Sequence, residues 1–227
     1  MAKIKVNLQK NALTKNMTQE DLNQFIKDLN EIELRFLKEN KFFLEVGGED
    51  KKLFMMDYLF FSAIVNRSTA FIRGFITLAK DDNYISAVPL IRMQIDNCLR
   101  FYASTLVSDK NDFYLQYLGG ENFGKILDAE GNKMRDPYLV EKLDEELFPG
   151  IHNLYKNTSG FVHLSNEHTF LQTKIENEKI SIQSGKFDFF TIDKKVDFTF
   201  NMLKASEFLL ELIQSWKFHK EAIMNNN

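Results

Sequence analysis

The chain has 227 residues, 44% of them hydrophobic and 22 of them Phe, enough apolar mass for a packed core and too much for a disordered chain. A formal net charge of −3, with Lys and Arg mixed among Asp and Glu, supplies no global field for nucleic acid. The single cysteine, Cys98, excludes an internal disulfide and fits a reducing compartment.

Residues 1–16 carry Lys3, Lys5, Lys10 and Lys15 and no acid, which predicts a short basic arm ahead of one helical-bundle domain over 17–222. No apolar stretch of signal-peptide length opens the chain. The apolar run 53–61 is broken by Asp57, so the expectation is a cytoplasmic protein with no membrane span. Only three prolines interrupt the sequence, which leaves room for long helices.

Thr18 followed by Asp21 reads as a helix start, and Leu22, Phe25, Leu29, Ile32 and Phe36 then repeat at steps of three and four. Gly47 and Gly48 end that unit. A second helix over about 51–80 sets Phe60, Ile64, Phe71, Phe75 and Leu78 on one arc, with Asn66 and Arg73 on the opposite side. A third, over about 83–106, buries Leu90, Ile91, Ile95, Cys98 and Leu99. Its other half presents Arg92, Asp96 and Arg100 at steps of four. That stripe reads either as intrahelical ion pairs or as an anion site that Asn66 and Arg73 join.

Between 108 and 149 four glycines break the chain, with short helices expected near 112–118 and 137–147. Alternation at Leu171, Thr173 and Ile175, a turn, and a return through Ile180 and Ile182 predict a hairpin over about 168–184. A last helix begins near Asp193, with a seam from Phe198 to Trp216. The fold expected is mainly α: a bundle of four to five long helices with one appended β-hairpin.

The segment YKNTSGFVHLSNEH, 155–168, is the densest in reactive side chains. At about 100° per residue a helix through it aligns His152, Lys156, Ser159 and His163, with Ile151, Leu154, Tyr155, Phe161 and Val162 opposite. A histidine to shuttle protons and a lysine to steady an anion are the parts of a metal-independent ribonuclease; the same stripe is also where a solvated helix face belongs. His163 and His168 stand about 140° apart on a helix, and no cysteine or second carboxylate lies at ligand spacing, so neither a metal nor a cofactor is expected. Phosphate-loop, GxGxxG, GxSxG and HExxH patterns do not occur.

Arg92 and Asp96, followed by Tyr155, Ser159, Phe161, Val162, His163 and Ser165, match the pattern R-x3-[DE] and then Y-x3-S-x-F-V-H-x-S. In this the chain resembles a group of uncharacterised bacterial helical proteins over about residues 50–215. It is also similar, more distantly, to the HEPN superfamily of helical bundles, which holds toxin and antiviral ribonucleases beside inactive scaffolding members. That resemblance implies a homodimer and a site in which Arg, four to six residues, and His act together. Here Lys156 stands where the motif has Arg, six residues ahead of His163, and lacks the planar fork that grips phosphate in two places.

The reading is therefore a HEPN-like, non-catalytic interaction or regulatory module, a homodimer with a protein partner. The alternative is a metal-independent ribonuclease of a toxin or antiviral system. In the alternative His163, Lys156 and Ser159 are catalytic, and Arg92, Asp96, Arg100, Arg73 and Asn66 bind RNA or another anion.

Overall fold

The computed structural model describes residues 17–46, 51–163, 165, 173–176, 179–182 and 190–224. The expected basic arm and His168 lie outside them. The described chain is mainly helical. Helix α1 (Gln19–Val46) is followed by α2 (Lys51–Lys80), α3 (Tyr84–Leu106) and α4 (Lys110–Leu118), and then by a 3₁₀ turn (Phe123–Lys125). Helices α5 (Asp136–Glu146) and α6 (Ile151–Ser159) come next, then strands β1 (Thr173–Glu176) and β2 (Lys179–Ile182), and last α7 (Ile192–Met224).

Local chemistry explains the starts. The Thr18 amide donates to Asp21 Oδ2 at 2.9 Å while the Asp21 amide donates to Thr18 Oγ1 at 3.2 Å, a reciprocal cap on α1. Asn83 caps α3 by accepting from the Ser86 amide at 3.2 Å. Pro89 sits inside α3, not at its first turn. Asp144 of α5 starts α6 across a tight corner: its Oδ1 accepts from the amides of Gly150 (2.8 Å) and His152 (3.0 Å). Gly150 holds φ +99°, a left-handed conformation that suits a residue without a Cβ.

Helices α1, α2, α3 and α7 pack in a ring, α1 against α2 and α7, and α3 against the same two. Helix α3 is its most enclosed member, with Ile91, Ile95, Cys98 and Leu99 fully buried. Helices α5 and α6 lie along α3 and against each other. Of the expected core, Phe60, Ile64, Phe75 and Leu209 are buried, whereas Phe71, Leu78, Leu90 and Leu212 are only partly covered. Strands β1 and β2 pair antiparallel, Thr173 opposite Ile182 and Ile175 opposite Ile180. All four residues of β2 are exposed.

Polar side chains also cross this core. Asn97, fully buried, donates to Ser68 Oγ (2.9 Å) and Gln94 Oε1 (3.1 Å), and Gln94 donates to Ser206 Oγ at 3.2 Å. This chain of amides and hydroxyls ties α2, α3 and α7 in one register, since each buried group needs its partner. Cys98 is sealed beside it, and burial pushes its thiol pKa far up, so it is an inert core residue.

Candidate functional site

The Arg92, Asp96, Arg100 stripe of α3 is the middle of a longer ionic relay. Arg67 of α2 reaches Asp96 Oδ2 at 2.9 Å and Asn97 Oδ1 at 2.7 Å. Asp96 Oδ1 takes Arg100 Nη2 at 2.8 Å, as the step of four allows. The same Nη2 donates to Asp136 Oδ1 at 2.5 Å, and Arg92 Nη2 meets Asp136 Oδ2 at 3.0 Å. Positive and negative groups thus alternate from Arg67 through Asp96, Arg100 and Asp136 to Arg92, joining α2, α3 and α5.

Helix α6 closes the relay. The Tyr155 hydroxyl donates to Asp136 Oδ2 at 3.3 Å, and the Arg92 guanidinium lies 3.8 Å from the centre of the Tyr155 ring. At the other end Arg100 stacks on Phe123, 4.8 Å from ring centre to guanidinium carbon. Burial raises the Asp136 pKa, but the Arg100 and Arg92 guanidiniums outweigh it and hold the carboxyl below the ordinary Asp range. Asp136 is therefore ionised at neutral pH, with most of its side chain sheltered from water.

The second stripe is arranged differently. Helix α6 ends at Ser159, and His163 stands in the turn that follows, so the continuous helical stripe is corrected. The reason is local. Ser159 Oγ donates to the Tyr155 carbonyl (2.6 Å) and Thr158 Oγ1 to that of Leu154 (2.8 Å), in competition with the next helical amides. Gly160 then gives a poor helical continuation, and the amides of Phe161 and Val162 bond back three residues instead of four. His152, Lys156 and His163 are all exposed. His163 and Lys156 make no side-chain hydrogen bond or ion pair among the described residues. Opposite them Ile151, Leu154 and Phe161 are buried, but Val162 is exposed, contrary to its expected apolar placement.

Asn66 and Arg73 also lie apart from the relay. Both are exposed, and Arg73 Nε pairs with Glu33 of α1 at 2.5 Å. They sit on a different side of α2 from Arg67, which is one residue past Asn66 and about 100° round the helix. The sequence reading missed Arg67, Asp136 and the Tyr155 hydroxyl as members of the polar centre. Asp136 had a weak signal, an acid in a first helical turn beside Pro137, but nothing in the chain marks its pairing with arginines 36 and 44 residues away.

Beside the relay a cavity of about 620 Å³ opens, walled by Arg100, Asp136, Phe123, Lys125 and Arg135 among others. Among the described residues no three His, Cys, Asp or Glu side chains converge as a metal site would need, and no helix is long and apolar enough to cross a membrane. Comparison with known protein families, curated proteins and solved structures finds no match for this chain.

Proposed function

We propose that the chain is a HEPN-like, non-catalytic interaction or regulatory module that works as a homodimer with a protein partner. The observation that carries this reading is the separation of its two polar stripes. The basic groups that would bind a phosphate, Arg92 and Arg100, are engaged by Asp136 and Asp96. The candidate proton shuttle, His163, stands exposed in a turn, and no described residue bonds to its side chain. General acid–base work needs both groups on one reacting centre.

Exposed apolar residues support the interaction role. Leu115 and Leu118 lie three apart on α4, and Ile180 and Ile182 share one face of β2. Such side chains are covered by a partner more often than they are left in water when they cluster.

Two measurements on the full chain test the reading together. Light scattering at tens of micromolar should return the mass of a dimer, and incubation with single-stranded and structured RNA should leave the RNA intact. A monomer mass would overturn the dimer. RNA cleavage that is lost in His163→Ala would overturn the non-catalytic reading in favour of the metal-independent ribonuclease.

A further inference from the structure

We propose that the cavity beside the relay binds a small molecule carrying a phosphate monoester. The inference does not depend on the interaction role proposed above.

Charge comes first. Of the relay, Arg100 and Asp136 line the cavity, one charge of each sign. At the cavity rim Lys125 is matched by Glu121 at 3.3 Å. Arg135, which also lines the cavity, is exposed and makes no ion pair among the described residues. The residues that line the cavity thus carry three positive charges, on Arg100, Lys125 and Arg135, against two negative ones, on Asp136 and Glu121, an excess of one in a chain whose overall charge is −3. A phosphate monoester brings three acceptor oxygens and nearly two negative charges at neutral pH to these three cationic side chains, where a carboxylate brings two oxygens and one charge.

Hydrogen bonding points the same way. Nη1 of Arg100 is closed to solvent and has no hydrogen-bond partner, although its Nη2 serves two carboxylates. That nitrogen is out of a ligand's reach, so Arg100 gives the cavity wall its charge and Arg135 gives the contact. Arg135, exposed and unpaired among the described residues, can supply the two-pronged contact that guanidiniums make with phosphate oxygens. The loop runs close beside it: a Cβ on Gly124 would stand 3.3 Å from Arg135 Cγ.

The rest of the ligand has a wall to lie on. Phe123 lines the cavity and is held edge-on by Phe113 (5.8 Å between ring centres) and tilted against Tyr117 (5.9 Å). A volume of about 620 Å³ exceeds what a bare phosphate fills and lies in the range of ordinary small-molecule sites.

The test is calorimetric titration of the full chain with inorganic phosphate, phenyl phosphate and benzoate, each at constant ionic strength in chloride. Phenyl phosphate is expected to bind saturably, tighter than inorganic phosphate and at least about tenfold tighter than benzoate. Arg135→Gln, a change at an exposed side chain with no ion pair among the described residues to lose, is expected to weaken phenyl phosphate binding about tenfold while the melting temperature stays put. Lys125→Gln should weaken it less, since Glu121 already engages that ammonium. No saturable binding of either phosphate below about 10 mM would overturn the proposal. So would equal binding by wild type and Arg135→Gln, which would place the ligand elsewhere, or benzoate binding as tight as phenyl phosphate, which would remove the phosphate.

Discussion

Helix α6 carries two polar faces that differ in what the rest of the chain does with them. On one, Tyr155 is stacked under Arg92 and bonded to Asp136, so it belongs to a relay built from four helices. On the other, His152 and Lys156 face water, and His163 follows in a turn. The exposed face has the more reactive residue types, yet the enclosed face has the geometry: fixed distances, complementary charge and a lowered carboxyl pKa. Chemistry needs groups that converge, and of these two faces it is the enclosed one whose groups do.

The comparison is most sharply tested through the scaffold and then the relay itself. Leu99 is fully buried on α3, the helix that packs against α2, α7 and the short α5–α6 pair, so Leu99→Ala should cost about 3–5 kcal/mol in chemical denaturation. A shift under 1 kcal/mol would mean that α3 is not the central element. Asp136→Asn keeps the shape but removes the charge that Arg92 and Arg100 share. Those side chains are mostly sheltered, so leaving two guanidiniums short of a counter-charge should cost about 2–4 kcal/mol. A loss of that size from Asp136→Asn, set beside a negligible loss from Lys156→Gln, is the expected contrast between the two faces.

Acid should expose the same contrast. Because the folded Asp136 carboxyl titrates below its unfolded value, its contribution to stability is complete above the unfolded pKa of about 3.9. It is lost as pH falls from there through the lowered folded pKa. Urea midpoints of the wild type should thus drop more steeply between pH 5 and pH 3, taken as about one unit either side of that unfolded value, than those of Asp136→Asn. Parallel profiles would show that Asp136 is not the titrating link.

How much of this was legible beforehand follows from the range of each interaction. Helix α2 at 51–80 and the α3 seam through Ile91, Ile95 and Leu99 are periodic patterns a few residues long, and they could be read directly. The same holds for the cap at Thr18 and Asp21. The Arg92–Asp96–Arg100 stripe was visible as spacing, but its meaning was not, because its partners Arg67 and Asp136 come from outside the helix. The error at His163 was local in origin: a 3.6-residue period was carried through Thr158, Ser159 and Gly160, where hydroxyl-to-carbonyl bonds and a missing Cβ favour a turn. Asn66 is exposed, as its place opposite the apolar arc implied, and it is its neighbour Arg67, about 100° further round α2, that reaches Asp96.

The smallest expected effect decides most about function. His163 is exposed, outside any helix and without a partner among the described residues, so His163→Ala should change stability by less than about 0.5 kcal/mol. A buried histidine satisfying a hydrogen bond would instead cost about 1–3 kcal/mol when removed. Stability alone therefore separates a structural role from the other two, and a second assay separates those. If His163 were a proton shuttle at an open site, wild type would cleave RNA and the equally stable variant would not. If it lies on an interaction surface, neither protein cleaves RNA, and the variant instead shifts the dimer–monomer balance or leaves it unchanged. A stable His163→Ala variant and a wild type inert toward RNA would fix the exposed face of α6 as surface, leaving the relay and its cavity as the place to look for a ligand.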